Sequence, residues 1–207
     1  MPFSHIFAIL SYMKSLSLAK PHLLVMVGVP GSGKSFFADK FADTFHAPLV
    51  SREKITQHLG KEMKEADDIA YDQLQELLKT KQSIVVDGIT DSRAARAQIA
   101  QSARSAGYET LVVWVQTEPT TAKNRSGRPS ADTNNRVLKG EAYDKAAQLF
   151  VPPSAPEKIV VISGKHTYAT QAKVILKKLS EPRATISLHT TAPVRPDPTG
   201  RRNITIR

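Results

Sequence analysis

Five short apolar runs, separated by longer amphipathic stretches, constrain the fold of this 207-residue chain more than any other feature. The runs are rich in Val, Ile and Leu and lack strict polar alternation, which indicates strands buried on both faces. Helical patterns between them are typical of a parallel sheet with crossover helices. We therefore expect an α/β protein with a five-stranded, mostly parallel sheet, its strands at residues 23–29, 48–51, 83–87, 110–116 and 158–163.

The helical stretches between the strands carry recognisable start and stop signals. The third stretch has Asp91 or Ser92 as its N-cap and Gly107 near its C-terminal end. The polar segment 128–140 predicts a mobile flap. We expect helices at residues 34–44, 69–79, 92–106, 142–150 and 167–179.

Both ends of the chain differ in composition from the middle. The apolar residues 5–13 predict a short helix packed on the domain, the alternative being that Met13 is the true start. Residues 181–207 contain four Pro and five Arg and no long apolar run. We therefore expect an N-terminal extension or short helix at 1–20, one domain at 21–180 and a basic tail at 181–207.

Composition and charge exclude several classes of protein. The absence of Cys removes disulfide frameworks, thiolate zinc sites and cysteine nucleophiles, and favours a reducing compartment, so we expect a cytoplasmic protein. A hydrophobic content of 41% with 23% charged residues is typical of an ordinary globular domain and gives no reason to expect a membrane partner. The net charge of +10 favours anionic partners such as nucleotides, nucleic acid or an acidic surface.

The segment GVPGSGKS at residues 28–35 matches the pattern G-x-x-x-x-G-K-[ST] between a strand and a helix. Its glycines let the backbone turn so that successive N–H groups point at phosphate oxygens, at a helix N-terminus that also favours an anion. Lys34 is then expected to bridge the β- and γ-phosphates, and the Ser35 hydroxyl to ligate Mg²⁺. The predicted ATP-binding residues are Gly28, Val29, Pro30, Gly31, Ser32, Gly33, Lys34 and Ser35.

Two acids at the ends of neighbouring strands complete the candidate chemistry. Asp87 ends a buried-type strand and is expected to hold the Mg²⁺ shell or to face the acceptor, the alternative being an acid that caps the following turn. Glu53 follows the short second strand, where a carboxylate is placed to take a proton from an attacking hydroxyl. The alternative for Glu53 is a first-turn glutamate stabilised by the helix dipole.

Two arginines in the segment KNRSGR suggest a lid. Residues three apart on a helix share a face, and Arg125 and Arg128 then lie beside the polar segment, where they are expected to neutralise charge on the transferred group. The alternative is the solvated basic end of a helix.

Taken in order, GVPGSGKS, SREKI, IVVDG, KNRSGRPSADTNNRVLK and FVPPSAPEKIVVIS resemble the small P-loop kinases. This AAA-type ATP-binding group includes the phage polynucleotide 5′-hydroxyl kinase domain and zeta-toxin-like kinases, and the resemblance covers residues 23–179. It implies a three-layer P-loop NTPase sandwich with a kinase-type lid, and ATP and Mg²⁺ as cofactors. By the same resemblance Glu53 is the base, Asp87 lies near the acceptor, Arg125 and Arg128 are lid arginines, and Gly164 lies where the family approaches adenine. Polynucleotide kinases have an acceptor-binding arginine where this chain has Thr56.

Three function classes are compatible with these features. The first is a kinase that transfers the γ-phosphoryl group of MgATP to a hydroxyl of a nucleic-acid 5′-end or of a small molecule. The second is an ATP-binding switch or slow NTPase, and the third is pure nucleic-acid binding, which leaves the phosphate-binding loop unexplained.

The tail offers two interpretations of its own. Its alternating pieces at 184–189 and 203–207 predict a hairpin or an added sheet edge, and its five arginines predict an arm that recruits nucleic acid. The alternative is a non-globular extension that keeps the protein soluble.

Overall fold

The computed structural model describes residues 20–60, 63–128 and 137–181. Within them the strands are β1 (His22–Val27), β2 (Leu49–Ser51), β3 (Ile84–Asp87), β4 (Glu109–Gln116) and β5 (Ile159–Ser163). The helices are α1 (Lys34–Phe45), α2 (Arg52–Leu59), α3 (Met63–Lys79), α4 (Arg93–Ser105), α5 (Pro119–Ser126), α6 (Gly140–Gln148) and α7 (Tyr168–Ser180). The predicted helix at 5–13, most of the predicted flap and the tail beyond residue 181 lie outside the described residues.

The five strands form one parallel sheet in the order β2-β3-β1-β4-β5. After β1 the chain builds β2 and β3 on one side, and it then crosses to build β4 and β5 on the other. The order therefore reverses at β1, and ligands of open α/β sheets bind at the carboxyl ends of the strands beside such a reversal. The predicted α/β class and five-stranded parallel sheet are confirmed.

The core has two halves because alternate residues of β1 point to opposite faces of the sheet. Leu23 and Val25 join a cluster with residues of α3 and α4, which include Leu74 and Ile99. Leu24 and Met26 join the other cluster, with residues of α1 and α7. All six residues of β1 are buried, as the continuous apolar run predicts.

The structure departs from the predicted elements at several places. Helix α3 begins at Met63, six residues before the predicted start. Helix α2 was not predicted as an element, because none of its residues is buried and it therefore shows no apolar stripe. The prediction of two-sided burial is wrong for β5, because Val160 and Ile162 join the cluster with α1 and α7 whereas Val161, on the opposite face, is 48% exposed.

A buried ion pair joins α4 to the segment that precedes β5. The Arg96 side chain is 1% exposed and donates from Nε to Glu157 Oε1 at 2.7 Å and from Nη2 to Oε2 at 3.2 Å. Its Nη1 donates to the carbonyl oxygens of Thr90 and Val151, at 3.2 and 3.1 Å. Helix α4 itself begins as predicted, since the Ser92 hydroxyl accepts a hydrogen bond from the N–H of Ala95 at 3.1 Å.

Among the helices of the described residues, none is long and apolar enough to span a bilayer.

Candidate active site

The loop at residues 28–35 connects β1 to α1 and has the backbone shape that phosphate binding requires. Gly31 and Gly33 have φ values of 74° and 102°, in the region that favours glycine. The N–H of Ser32 donates to the carbonyl oxygen of Val29 at 3.1 Å, which closes a turn. Helix α1 begins at Lys34 directly after Gly33, and no side chain caps it. Its first N–H groups are thus free of a side-chain acceptor at a dipole end that attracts anions.

Two glycines of this loop, Gly28 and Gly31, also lie against neighbouring main chain. A Cβ atom placed on Gly31 would lie 2.1 Å from the carbonyl oxygen of Ala122 in α5. One placed on Gly28 would lie 2.7 Å from the carbonyl oxygen of Val115 in β4. A side chain at either position would force the loop and its neighbours apart, so the glycines serve packing as well as turning.

Gly164, which follows β5, lies against the same loop. A Cβ atom on Gly164 would lie 2.0 Å from the carbonyl oxygen of Ser32. The Thr117 hydroxyl, from the segment after β4, donates to that same oxygen at 2.9 Å. The N–H of Gly164 donates to the carbonyl oxygen of Gln116 at 2.8 Å, so the segments after β4 and β5 form one wall beside the loop.

Asp87 is the buried acid of the site. It ends β3 opposite Ser51 of β2, is 2% exposed, and its Oδ1 atom has no hydrogen-bond partner among the described residues. Burial raises the pKa of Asp87, which the Lys34 ammonium and the Ser35 hydroxyl oppose and the carboxylates of Glu53 and Asp39 reinforce. Lys34 and Ser35 are thus the two motif residues whose side chains favour the charged form of Asp87.

The donor set fits a magnesium ion that is also bound by nucleotide phosphates. A hydroxyl and a carboxylate oxygen are hard ligands of the kind that Mg²⁺ prefers, and nucleotide oxygens and water complete its usual shell. The unpartnered Oδ1 atom of Asp87 is the feature that a cation, or a water bound to it, would satisfy. The described residues hold no group of three or more His, Cys, Asp or Glu side chains able to bind a metal on their own.

Glu53 lies in the first turn of α2, whose N-cap is Ser51 with its hydroxyl accepting from the N–H of Lys54 at 3.4 Å. Its side chain is partly exposed, and its negative charge adds to the effect of burial in raising the pKa of Asp87. The position thus has both properties considered for it, a carboxylate beside the phosphate-binding loop and a glutamate at the positive end of a helix.

Arg125 and Arg128 do not share a helix face. Helix α5 ends at Ser126, so Arg128 lies beyond it, and the argument from helical spacing is wrong for that residue. Arg125 donates from Nη1 to the carbonyl oxygen of Gly164 at 2.9 Å, which places its guanidinium at the wall beside the loop. Helix α5 is also joined to α6 by the Lys123 ammonium, 2.7 Å from a carboxylate oxygen of Asp144.

One charged cluster at the carboxyl edge was not predicted from the sequence. The Arg52 guanidinium, 18% exposed, lies 3.3 Å from Asp67 of α3 and 3.0 Å from Asp91, which follows β3. Burial alone would lower the pKa of Arg52, but the two carboxylates raise it. The three residues come from distant parts of the chain and form no local motif, so no sequence signal identifies them.

Residues 23–153 match the family model described as an AAA domain. No curated protein gave a match. Similar solved structures include Kti12 of Chaetomium thermophilum in complex with ADP-AlF3, with 17% identity, a TM-score of 0.60 and coverage of 75% of this chain and 96% of that one. A sugar kinase from Janibacter sp. HTCC2649 has 15% identity, a TM-score of 0.55 and coverage of 76% and 93%.

The APS kinase of Mycobacterium tuberculosis, in complex with AMPPNP and APS, has 14% identity, a TM-score of 0.55 and coverage of 78% of this chain and 99% of that one. At these identities the structures establish likeness of fold. The family match spans more than half of the chain, and the GVPGSGKS loop lies within it. The chain therefore belongs to the AAA domain family and has a P-loop kinase-like fold.

Proposed function

We propose that the protein is an ATP-dependent phosphotransferase that binds MgATP at the loop of residues 28–35 and transfers the γ-phosphoryl group to a hydroxyl. The observation that carries this proposal is the position of Glu53. Glu53 lies two residues after Ser51, which pairs with Asp87 where β2 and β3 end, at the same carboxyl edge where Lys34 and Ser35 begin α1. A partly exposed carboxylate beside a phosphate-binding loop is what transfer to a hydroxyl requires.

In the proposed reaction the acceptor oxygen forms a bond to the γ-phosphorus while the bond from that phosphorus to the β–γ bridging oxygen breaks, which gives ADP. The proton of the acceptor hydroxyl passes to Glu53. Lys34 and the N–H groups at the start of α1 hold the phosphates, and Ser35 and Asp87 would hold Mg²⁺, which neutralises phosphate charge when bound. Most of the rate then comes from positioning and electrostatic stabilisation.

The two arginines receive different roles in this proposal. The contact between Arg125 and Gly164 supports a role for Arg125 on the nucleotide side, where it holds the wall against which ATP binds. Arg128, beyond the end of α5, is the residue we assign to charge on the transferred group.

A transfer screen tests the proposal. The purified protein is incubated with γ-labelled ATP and 5′-hydroxyl oligonucleotides, nucleosides, sugars or aminoglycosides, and label on the acceptor is compared with label released as inorganic phosphate. We expect Lys34→Ala to lower turnover by about 10² to 10³, since it removes a charge partner of the transferred group. Lys40→Ala, an exposed lysine of the same helix, is the matched control and should keep wild-type turnover. Turnover of Lys34→Ala within threefold of wild type would contradict the assignment.

An ATP-binding switch or slow NTPase is the second candidate, favoured by the place of Glu53 in the first turn of α2, where the helix dipole stabilises a glutamate without any catalytic role. Label that appears only as inorganic phosphate, whatever acceptor is present, would select this candidate over the kinase.

A further inference from the structure

The charges around the proposed acceptor position are opposite in sign to those of the whole chain, which carries +10. The side of the site next to β2 and β3 is the side away from the wall that Gly164 and Thr117 form. Its charged groups show which acceptors it can accommodate.

Arg52, the central cation on this side, is already paired with two carboxylates. Its two Nη atoms lie 3.3 and 3.0 Å from carboxylate oxygens of Asp67 and Asp91. The two carboxylates are 42% and 60% exposed, whereas Arg52 is 18% exposed. The cluster therefore presents carboxylate oxygens to solvent and hides the guanidinium behind them.

The cluster adjoins the reacting centre. A Cβ atom on Gly88, the residue after Asp87, would lie 2.9 Å from the Cβ atom of Arg52. Glu53 follows Arg52 in the chain, and Ser51, directly before them, pairs with Asp87 across β2 and β3. The buried Oδ1 atom of Asp87 has no hydrogen-bond partner among the described residues, so a ligand, or the cation that it brings, would complete the contacts at this edge.

The other side chains of α2 that could bind an anionic acceptor also have partners within the protein. Lys54 lies 2.6 Å from Asp39 of α1. The Thr56 hydroxyl, at the position where polynucleotide kinases have an acceptor-binding arginine, donates to the carbonyl oxygen of Arg52 at 2.9 Å. Asp68 adds a further negative charge, near enough to raise the pKa of Asp67 together with burial, the largest cause.

Resting on the proposed kinase activity, we infer that the acceptor is a small hydroxyl compound that carries an ammonium group, such as an amino sugar or amino alcohol, and that Asp67 and Asp91 determine this specificity. Exposed carboxylates at the mouth of the site attract an ammonium and repel the phosphates of a nucleic acid or a sugar phosphate. The ammonium binds Asp67 and Asp91, which orients a hydroxyl of the same molecule toward Glu53.

Label transfer to acceptors that differ mainly in charge tests the inference. Glucosamine, glucose and glucose 6-phosphate share one ring, and kanamycin, myo-inositol and a 5′-hydroxyl oligonucleotide extend the series to larger molecules. At saturating MgATP, we expect kcat/KM to be highest for the ammonium compounds, at least about tenfold above the neutral ones, and lowest for the phosphate-bearing ones. Added salt should reduce the preference.

Substitutions of the two carboxylates test whether they cause the preference for ammonium acceptors. Asp91→Asn, at the more exposed carboxylate, and Asp67→Asn should each lower kcat/KM for the ammonium acceptor about fivefold, without a matching loss for a neutral one. Asp72→Asn makes the same change on an exposed residue of α3 and serves as the control. Thermal unfolding of each variant separates loss of specificity from loss of fold.

Three outcomes would overturn the inference. Preference for a neutral or phosphate-bearing acceptor overturns the inference but not the proposed phosphotransferase activity. The same holds if Asp67→Asn and Asp91→Asn lower kcat/KM for the ammonium acceptor no more than Asp72→Asn does. Label released to water alone with every acceptor overturns the proposed function and the inference with it.

Discussion

On the β4 and β5 side of the phosphate-binding loop, main chain packs against main chain, whereas on the β2 and β3 side charged side chains from three separate segments meet. Gly28, Gly31 and Gly164 leave no room for a Cβ atom beside neighbouring carbonyl oxygens. Across the site, Arg52 holds two carboxylates that belong to α3 and to the segment after β3.

The difference shows how the two halves of the proposed transfer site are specified. The nucleotide half depends on close backbone approach, which only a few residue types permit, so it leaves a local sequence motif. The acceptor half depends on side chains that many backbone positions can present, so it leaves none. Substitutions on the two sides should accordingly fail in different ways.

The largest effect is expected for Glu53→Gln on the acceptor side. The substitution keeps the shape of the side chain but removes its basicity, so phosphoryl transfer should fall by about 10² to 10⁴ while ATP affinity is retained. Single-turnover transfer beside nucleotide titration measures both. Glu141→Gln is the control, because Glu141 occupies the same position in the first turn of α6 but lies outside the site. It should leave phosphoryl transfer unchanged. If Asp87→Asn abolishes transfer and Glu53→Gln does not, Asp87 is the base.

The Arg96–Glu157 ion pair lies outside both halves of the site. It tests how much a buried ion pair contributes to the stability of the fold that positions them. Glu157→Gln leaves the buried guanidinium without its carboxylate and should lower the free energy of unfolding by about 3 kcal/mol. Glu76→Gln, which breaks an exposed pair with Lys79, should change it by less than about 0.5 kcal/mol. Denaturant titration of the two variants decides this, and equal values would show that the pair adds nothing.

The same pair gives the fold a pH dependence. Burial would raise the pKa of Glu157, but hydrogen bonds from Arg96 and from the Ser154 N–H hold it below the ordinary value. Because the folded pKa is the lower one, the stabilisation is fully present above the unfolded pKa of about 4.3 and is lost as the pH falls through the folded value. The unfolding free energy of Glu157→Gln should therefore vary less with pH in this acidic range than that of wild type.

Gly164→Ala tests the β4 and β5 side of the loop, where main chain packs against main chain. The added Cβ atom meets the carbonyl oxygen of Ser32, and relieving the overlap should cost about 1 to 3 kcal/mol, seen mainly as weaker nucleotide binding. Gly127→Ala is the control, because its Cβ atom would meet nothing closer than 3.5 Å and its φ is −80°. Unchanged ATP affinity in Gly164→Ala would show that the wall and the loop move independently.

The smallest effects are expected from Arg125→Lys and Arg128→Lys, which keep the charge and lose the planar fork. Arg125→Lys should mainly weaken nucleotide binding a few-fold, since it disturbs the contact with Gly164, whereas Arg128→Lys should mainly lower kcat. Nucleotide titration and single-turnover kinetics separate the two. Equal changes in both quantities for both variants would remove the division of roles.

The sequence predicted the parts of the molecule that depend on local pattern. All five strands were placed to within two residues, because each is a continuous apolar run, and the loop at residues 28–35 connects β1 and α1 as its motif requires. Helix α2 escaped prediction because it buries no residue, although Ser51 and Glu53 are typical of a helix start. The helix predicted to carry both Arg125 and Arg128 ends at Ser126, so Arg128 lies beyond it.

The acceptor side resisted prediction for a different reason. Asp67 and Asp91 meet at Arg52 only after α3 has packed on the sheet, and nothing near any of the three residues signals the others. The roles assigned to Glu53, Asp87 and the lid arginines remain predictions, each with a variant above that tests it.

The shared guanidinium also limits the routes by which this site can change its substrate. Because Arg52 binds both Asp67 and Asp91, replacing one carboxylate alters the setting of the other, and the effects of the two substitutions should not add. Directed evolution that varies one position at a time must pass through variants in which Arg52 is half-paired. Libraries that randomise positions 67 and 91 together avoid those intermediates and leave the nucleotide half of the site untouched.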